Sequence, residues 1–236
     1  MTKKRALVFG GLVLFILLSI TLYQPEWLFK VLEKQSPKVI YSVNIQKPIV
    51  AISIDDGPDP RTTSLILDIL KQHEVRATFF LISSNVPGNE SVVRRIVEEQ
   101  HELGNHLTVD KPSISYSPAE FEDELLKAHT QLSEFGMIRW FRPGSGWYNT
   151  AMLSILEENN YRAALASVYP FDVIIPSPFF ASRYILWRIR PGSIVLLHDL
   201  GSRGERTAKT LARVLPELKR RGFGFATLSE LVPLEE

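Results

Sequence analysis

Cysteine is absent from the 236 residues, which excludes disulfides, thiolate nucleophiles and thiolate metal sites. Any metal must then be held by histidine, aspartate or glutamate. An excess of one charge is missing too: 27 basic residues stand against 26 acidic ones, for a net charge of +1. So balanced a chain carries no electrostatic footprint for a polyanion, and nucleic acid is not an expected partner. There is no internal repeat and no low-complexity tract. Hydrophobic residues make up 45% of the chain and charged residues 22%, which sets disorder aside. The length suits one full-sized domain rather than two.

Residues 6–23 form a long uncharged apolar run behind Lys3, Lys4 and Arg5. As a helix, these 18 residues span about 27 Å at ~1.5 Å per residue, close to the ~30 Å hydrocarbon thickness of a bilayer. No convincing Ala-x-Ala cleavage site follows, so residues 1–23 read as a basic cytoplasmic tip and an uncleaved membrane anchor. Residues 24–46, with Pro25, Trp27 and Pro37, read as a connector. The globular domain is expected over residues 47–236, extracytoplasmic and monomeric.

That domain is organised around residues 49–58. Six mostly apolar residues suit a strand covered on both faces, and the carboxylates of Asp55 and Asp56 follow before Gly57-Pro58 turns the chain. Two adjacent carboxylates repel each other unless a cation or proton intervenes. A divalent metal on one, with the other left as a base, satisfies both; a plain turn is the competing reading.

Further strands are predicted over residues 77–82, 102–106, 139–142, 162–168, 193–197 and 224–228. Helices are predicted over 62–73, 91–100, 118–135, 150–159, 185–189 and 207–221. This alternation gives a parallel α/β fold of about seven units, open or closed into a barrel. Polar clusters fall just after strands, as a strand-end active site requires: Asp55-Asp56, His106 with Asp110, Arg142-Pro-Gly-Ser-Gly146, Asp172, and His198-Asp199.

With these five blocks in order, the chain resembles the polysaccharide deacetylases of the NodB-homology class, carbohydrate esterase family 4. The family's Thr-Phe-Asp-Asp-Gly-Pro stands here as Ser53-Ile-Asp-Asp-Gly-Pro58. Its His-x-x-x-His stands as His106-Leu-Thr-Val-Asp110, its Arg-Pro-Pro-Tyr-Gly as Arg142-Pro-Gly-Ser-Gly146, its Asp-Trp as Asp172-Val173, and its Leu-x-x-His block as the run ending at His198. The resemblance implies a distorted (β/α) barrel of about seven strands, and metal-dependent removal of acetyl groups from an amino-sugar polysaccharide such as peptidoglycan or chitin oligomers. It implies Asp56, His106 and Asp110 as ligands of a divalent ion, zinc first, with manganese or cobalt as alternatives. Asp55 becomes the general base, oriented by Arg142, and His198 the general acid, tuned by Asp172. The Ser145 backbone N–H matches an oxyanion donor, and Trp147 and Tyr148 are candidates for stacking on a sugar ring. Three departures stand out: Asp110 replaces a histidine ligand, Ser145 and Val173 replace aromatics, and Tyr169 stands where many relatives carry another aspartate. A carbohydrate-binding relative that keeps the fold without turnover is the alternative. Retention of Asp55, Arg142 and His198 favours the enzyme, because a pure binder has little use for a base, its orienting arginine and a separate acid.

Overall fold

A computed structural model of the protein describes residues 11, 12 and 23–234. The expected membrane helix over residues 6–23 lies, apart from residues 11, 12 and 23, outside the described residues. Among those described, no helix is long and apolar enough to cross a membrane. The described residues form two compact units that divide between Pro37 and Lys38. The first holds the helix Glu26–Gln35, with Lys34 in its last turn, where a cation suits the negative end of the helix dipole.

The second unit is built on eight strands: β1 Val39–Ile40, β2 Ile49–Asp55, β3 Thr78–Leu81, β4 Glu102–Asn105, β5 Trp140–Phe141, β6 Arg162–Ala164, β7 Ile194–His198 and β8 Gly224–Ala226. Neighbours run β1-β6-β5-β4-β3-β2-β7, and all their pairings are parallel. β8 pairs with the first residues of β2, and β3 with the last. Beyond β6 the chain returns to β7 through a bridge between Val168 and Val195. The sheet thereby curls back on itself, in keeping with a distorted barrel. All seven expected strands form; β1 is the addition. Residues 38–46, expected as connector, belong to the barrel: Val39 and Ile40 pair with Ala163 and Ala164, and Val43 and Ile45 are buried.

Parallel neighbours need crossovers, and helices supply them. Those at Thr62–Gln72, Glu90–Glu98, Pro118–Leu132 and Thr150–Glu158 match the periodicity of their buried aliphatic residues. Ser117 and Glu120 form a capping box ahead of the third, and Asn149 caps the fourth. Two helices start earlier than the sequence suggests, at Pro178 instead of residue 185 and at Gly201 instead of residue 207. In the first case the aromatic-rich Phe179–Trp187 stretch hides the period. In the second, Gly201 and Gly204 look like loop.

Gly204 belongs inside that helix because nothing larger fits. A Cβ there would stand 2.4 Å from Thr62 Cβ and 2.2 Å from Asp199 Oδ1. Its absence lets the helices Gly201–Arg220 and Thr62–Gln72 close on each other. Gly104 in β4 plays the same part inside the barrel, where a Cβ would meet the Phe80 ring at 2.5 Å. The ring sits in a core cluster with Ile40, Ala51, Trp140, Ala164 and Ile194, directly beneath the site.

Candidate active site

The functional side chains stand where strands end. Asp55 closes β2 and lies in register with His198, the last residue of β7. His106 follows β4 and Arg142 follows β5. Non-glycine residues at positive φ in the loops at this edge include Asp56 (76°), Leu107 (63°), Ser145 (61°) and Leu200 (76°). Such conformations cost about 1–3 kcal/mol each and persist only where the surroundings fix them. Here they turn the chain sharply enough for four loops to present their polar groups to one cavity of about 540 Å³.

Arg142 is the anchor, 1% exposed. Its Nη1 donates to Asp55 Oδ1 at 2.7 Å and to Ser53 Oγ at 2.8 Å. Nε and Nη2 donate to the carbonyls of Ala164 (2.9 Å) and Leu165 (3.1 Å). The guanidinium also lies 4.0 Å over the Phe80 ring. With that many fixed donors, Arg142 holds Asp55 in one orientation and compensates its buried charge.

Asp56 and His106 meet on the same wall. His106 Nδ1–H donates to the Arg142 carbonyl at 2.8 Å, which directs Nε2 toward Asp56 Oδ1, 3.6 Å away. The two atoms face each other at a distance too long for a hydrogen bond. A cation between them would relieve that arrangement, and a backbone carbonyl on the far nitrogen is the usual partner of a ligating imidazole. Burial pushes the Asp56 carboxyl up, against the pull of His106, His198 and Arg203. The two donors therefore fit a divalent ion. The expected third, Asp110, lines the same cavity but is exposed on its rim. Among the described residues no group of three His, Asp or Glu side chains stands together as a metal set. Past Asp110 the loop is tied to the turn after β5, where Ser113 Oγ accepts from Gly144 N–H at 2.8 Å.

At the end of β7, beside Asp55, Asp172 accepts from the backbone N–H of His198 at 3.0 Å and from its Nδ1–H at 3.1 Å. The proton of the remaining ring nitrogen, Nε2, is the one left for transfer. Burial alone would lower the His198 pKa, but the Asp172 hydrogen bond and the charges of Asp172, Asp55 and Asp56 outweigh it and raise the pKa above the ordinary value. Tyr169 packs edge-on against the same imidazole and stays a neutral phenol, with burial pushing its pKa up to about 12.

Ser145 lines the cavity, as does Val173. Trp147 is 67% exposed and stands outside the lining. Tyr148 is joined to the cavity through Tyr41, the two hydroxyls 2.8 Å apart. Two residues of the site, Tyr41 and Arg203, escaped the sequence reading, and two others, Ser53 and Asp199, take parts it did not assign. Tyr41 lies in the segment expected as connector, and Ser53 opens the first of the five blocks, where its hydroxyl accepts from Arg142. Asp199 is fully buried, accepting from Thr62 Oγ1 at 2.5 Å and donating its N–H to the Asp55 carbonyl at 2.8 Å; it locks the ends of β2 and β7 together. Arg203 sits in the hidden first turn of Gly201–Arg220, with Nη1 2.9 Å from Asp56 Oδ2.

A buried carboxylate held by arginine, a carboxylate–imidazole pair facing it, and a donor pair for a cation define a hydrolase-type site at the strand ends of an α/β barrel. The chain belongs to the polysaccharide deacetylase family, whose model matches residues 42–164. It is 34% identical over 202 residues to a peptidoglycan-N-acetylglucosamine deacetylase of Bacillus cereus, covering 82% of this chain and 92% of that protein. To a chitooligosaccharide deacetylase of Bradyrhizobium it is 36% identical, covering 77% and 90%. Among solved structures, the Bc1960 peptidoglycan N-acetylglucosamine deacetylase superposes with a TM-score of 0.79 at 30% identity, covering 84% of this chain and 95% of that one. BA3943 of Bacillus anthracis, a CE4 family pseudoenzyme, superposes at 0.77 with 29% identity, covering 87% and 72%. An acetyl xylan esterase of Clostridium thermocellum in complex with a cobalt ion superposes at 0.72 with 27% identity, covering 79% and 94%.

Proposed function

We propose that the protein hydrolyses acetyl groups, N-acetyl first, from an extracytoplasmic amino-sugar polysaccharide such as peptidoglycan or chitin oligomers, and that it is held at the membrane by residues 6–23. The observation that carries the reading is the pairing of Asp55–Arg142 and His198–Asp172 at one cavity, Asp55 and His198 in register on neighbouring strands. Asp56 and His106 would hold a divalent ion, zinc first, with manganese or cobalt as alternatives and Asp110 on the rim as a further oxygen donor. When bound, such an ion supplies Lewis-acid polarisation and a more acidic water.

The chain's own groups divide the remaining work. Asp55, held in place by Arg142, takes a proton from the attacking water. The new C–O bond makes a tetrahedral carbon whose oxyanion the Ser145 N–H can meet. His198 Nε2–H then protonates the amine as the C–N bond breaks, and acetate departs. Tyr41, Tyr148 and Trp147 border the face on which a sugar ring would rest.

A second reading, a non-catalytic glycan binder, is favoured by one observation: two donors rather than three converge on the metal position. Acetate release separates the two. The full-length protein in detergent is offered N-acetylglucosamine oligomers and peptidoglycan after chelation, and again after re-addition of zinc, manganese or cobalt. Metal-restored release is expected; a folded, metal-binding protein that releases none with any ion supports the binder.

The pH profile tests the acid separately. His198 must be protonated to act, and Asp172 raises its pKa. Asp172→Asn removes that charge, so the proton is lost at a lower pH. The basic limb of kcat/KM should therefore move to lower pH, and a limb that stays put would remove His198 as the acid.

A further inference from the structure

The role of Arg203 remains to be assigned. Asp56 is 4% exposed and divides its carboxylate between two neighbours, Oδ1 toward His106 Nε2 and Oδ2 to Arg203 Nη1 at 2.9 Å. The buried charges otherwise cancel within the site: Arg142 answers Asp55, and His198, when protonated, answers Asp172. Arg203 is thus the cation that neutralises Asp56. It does so from the first turn of a long helix, the end at which the dipole disfavours a cation. Among the described residues it makes no second ion pair, and its side chain is 30% exposed, which leaves a path to solvent.

We propose that Arg203 is a resident counter-cation that competes with the divalent ion for Asp56, so that loading requires the guanidinium to leave the carboxylate and the site binds metal weakly. This rests on the assignment of Asp56 and His106 as the ligands. The argument is electrostatic. An ion on Asp56 places two positive charges beside a third, in a site where burial weakens screening. With only two protein donors converging, the site has little ligand strength to overcome that repulsion. Arg203 also supplies the counter-charge that a carboxylate as buried as Asp56 needs.

Arginine-to-methionine keeps the aliphatic stem and removes the charge. Cobalt(II) titrations of the full-length protein, followed by the visible absorption of the bound ion and by calorimetry, are expected to show Arg203→Met binding at least about tenfold more tightly than wild type. Arg203→Lys, which retains the charge, should stay within a few-fold of wild type. Thermal unfolding gives a second readout: the rise in Tm on adding cobalt should be larger for Arg203→Met, since a ligand stabilises in proportion to its affinity for the folded state. Equal or weaker binding by a folded Arg203→Met overturns the proposal and leaves the ligand assignment standing. Cobalt bound as tightly by Asp56→Asn and His106→Ala as by wild type places the ion elsewhere and overturns both.

Discussion

Replacement of Arg142 by methionine is expected to lower the unfolding free energy by about 3–5 kcal/mol and to bring deacetylation to background. The stability term follows from what is left behind. Asp55, 2% exposed, loses its arginine partner, and Ser53 Oγ and the carbonyls of Ala164 and Leu165 lose a donor each. A buried pair broken from one side costs far more than the pair contributes, because the surviving charge is stranded in low dielectric. The catalytic term has the same origin: stranded Asp55 escapes the penalty by taking up a proton and ceases to be a base at neutral pH. Arg142→Lys should recover part of the stability but little activity, since one ammonium cannot replace a planar fork that reaches Asp55, Ser53 and two carbonyls. Urea unfolding with an unchanged m-value gives the energy directly. A loss below about 1 kcal/mol would mean that Asp55 is already neutral and that Arg142 is not its compensator.

How far this could be read in advance depended on the length of each signal. Strands such as Thr78–Leu81, buried at every position, announce themselves as apolar runs between turns. The acidic and basic residues just beyond them fall on the same edge because parallel strands share a direction. That logic places Asp55, His106, Arg142 and His198 correctly at strand ends before any fold is known. It fails for β1, whose two residues form no pattern and exist as strand only because β6 pairs with them. It fails for Arg203, because the close approach that makes Gly204 necessary is a property of two helices distant in sequence. The five-motif resemblance suggests Asp110 as a ligand, but not its exposed position on the rim of the cavity. Long-range partners of single side chains, such as Ser53 and Asp199, carry no local signature at all.

Asp55→Asn separates chemistry from architecture more cleanly than any change at Arg142. Asparagine keeps a carbonyl oxygen where Asp55 Oδ1 accepts from Nη1 at 2.7 Å. Arg142 retains its bonds to Ser53, Ala164 and Leu165. The stability cost should therefore be clearly smaller than for Arg142→Met, although a buried guanidinium is left without its counter-charge. What the substitution removes entirely is a group able to accept a proton from water. Loss of a general base lowers kcat by about 10²–10⁴-fold, equivalent to about 3–5 kcal/mol of barrier. Partial unfolding can imitate a modest loss, so the rate must be normalised to the folded fraction measured in the same buffer. A normalised loss of two decades or more with KM little changed places Asp55 in the transition state rather than in substrate binding. A folded Asp55→Asn protein that turns over like wild type would remove Asp55 as the base, and the proton would have to go to another group on the cavity wall.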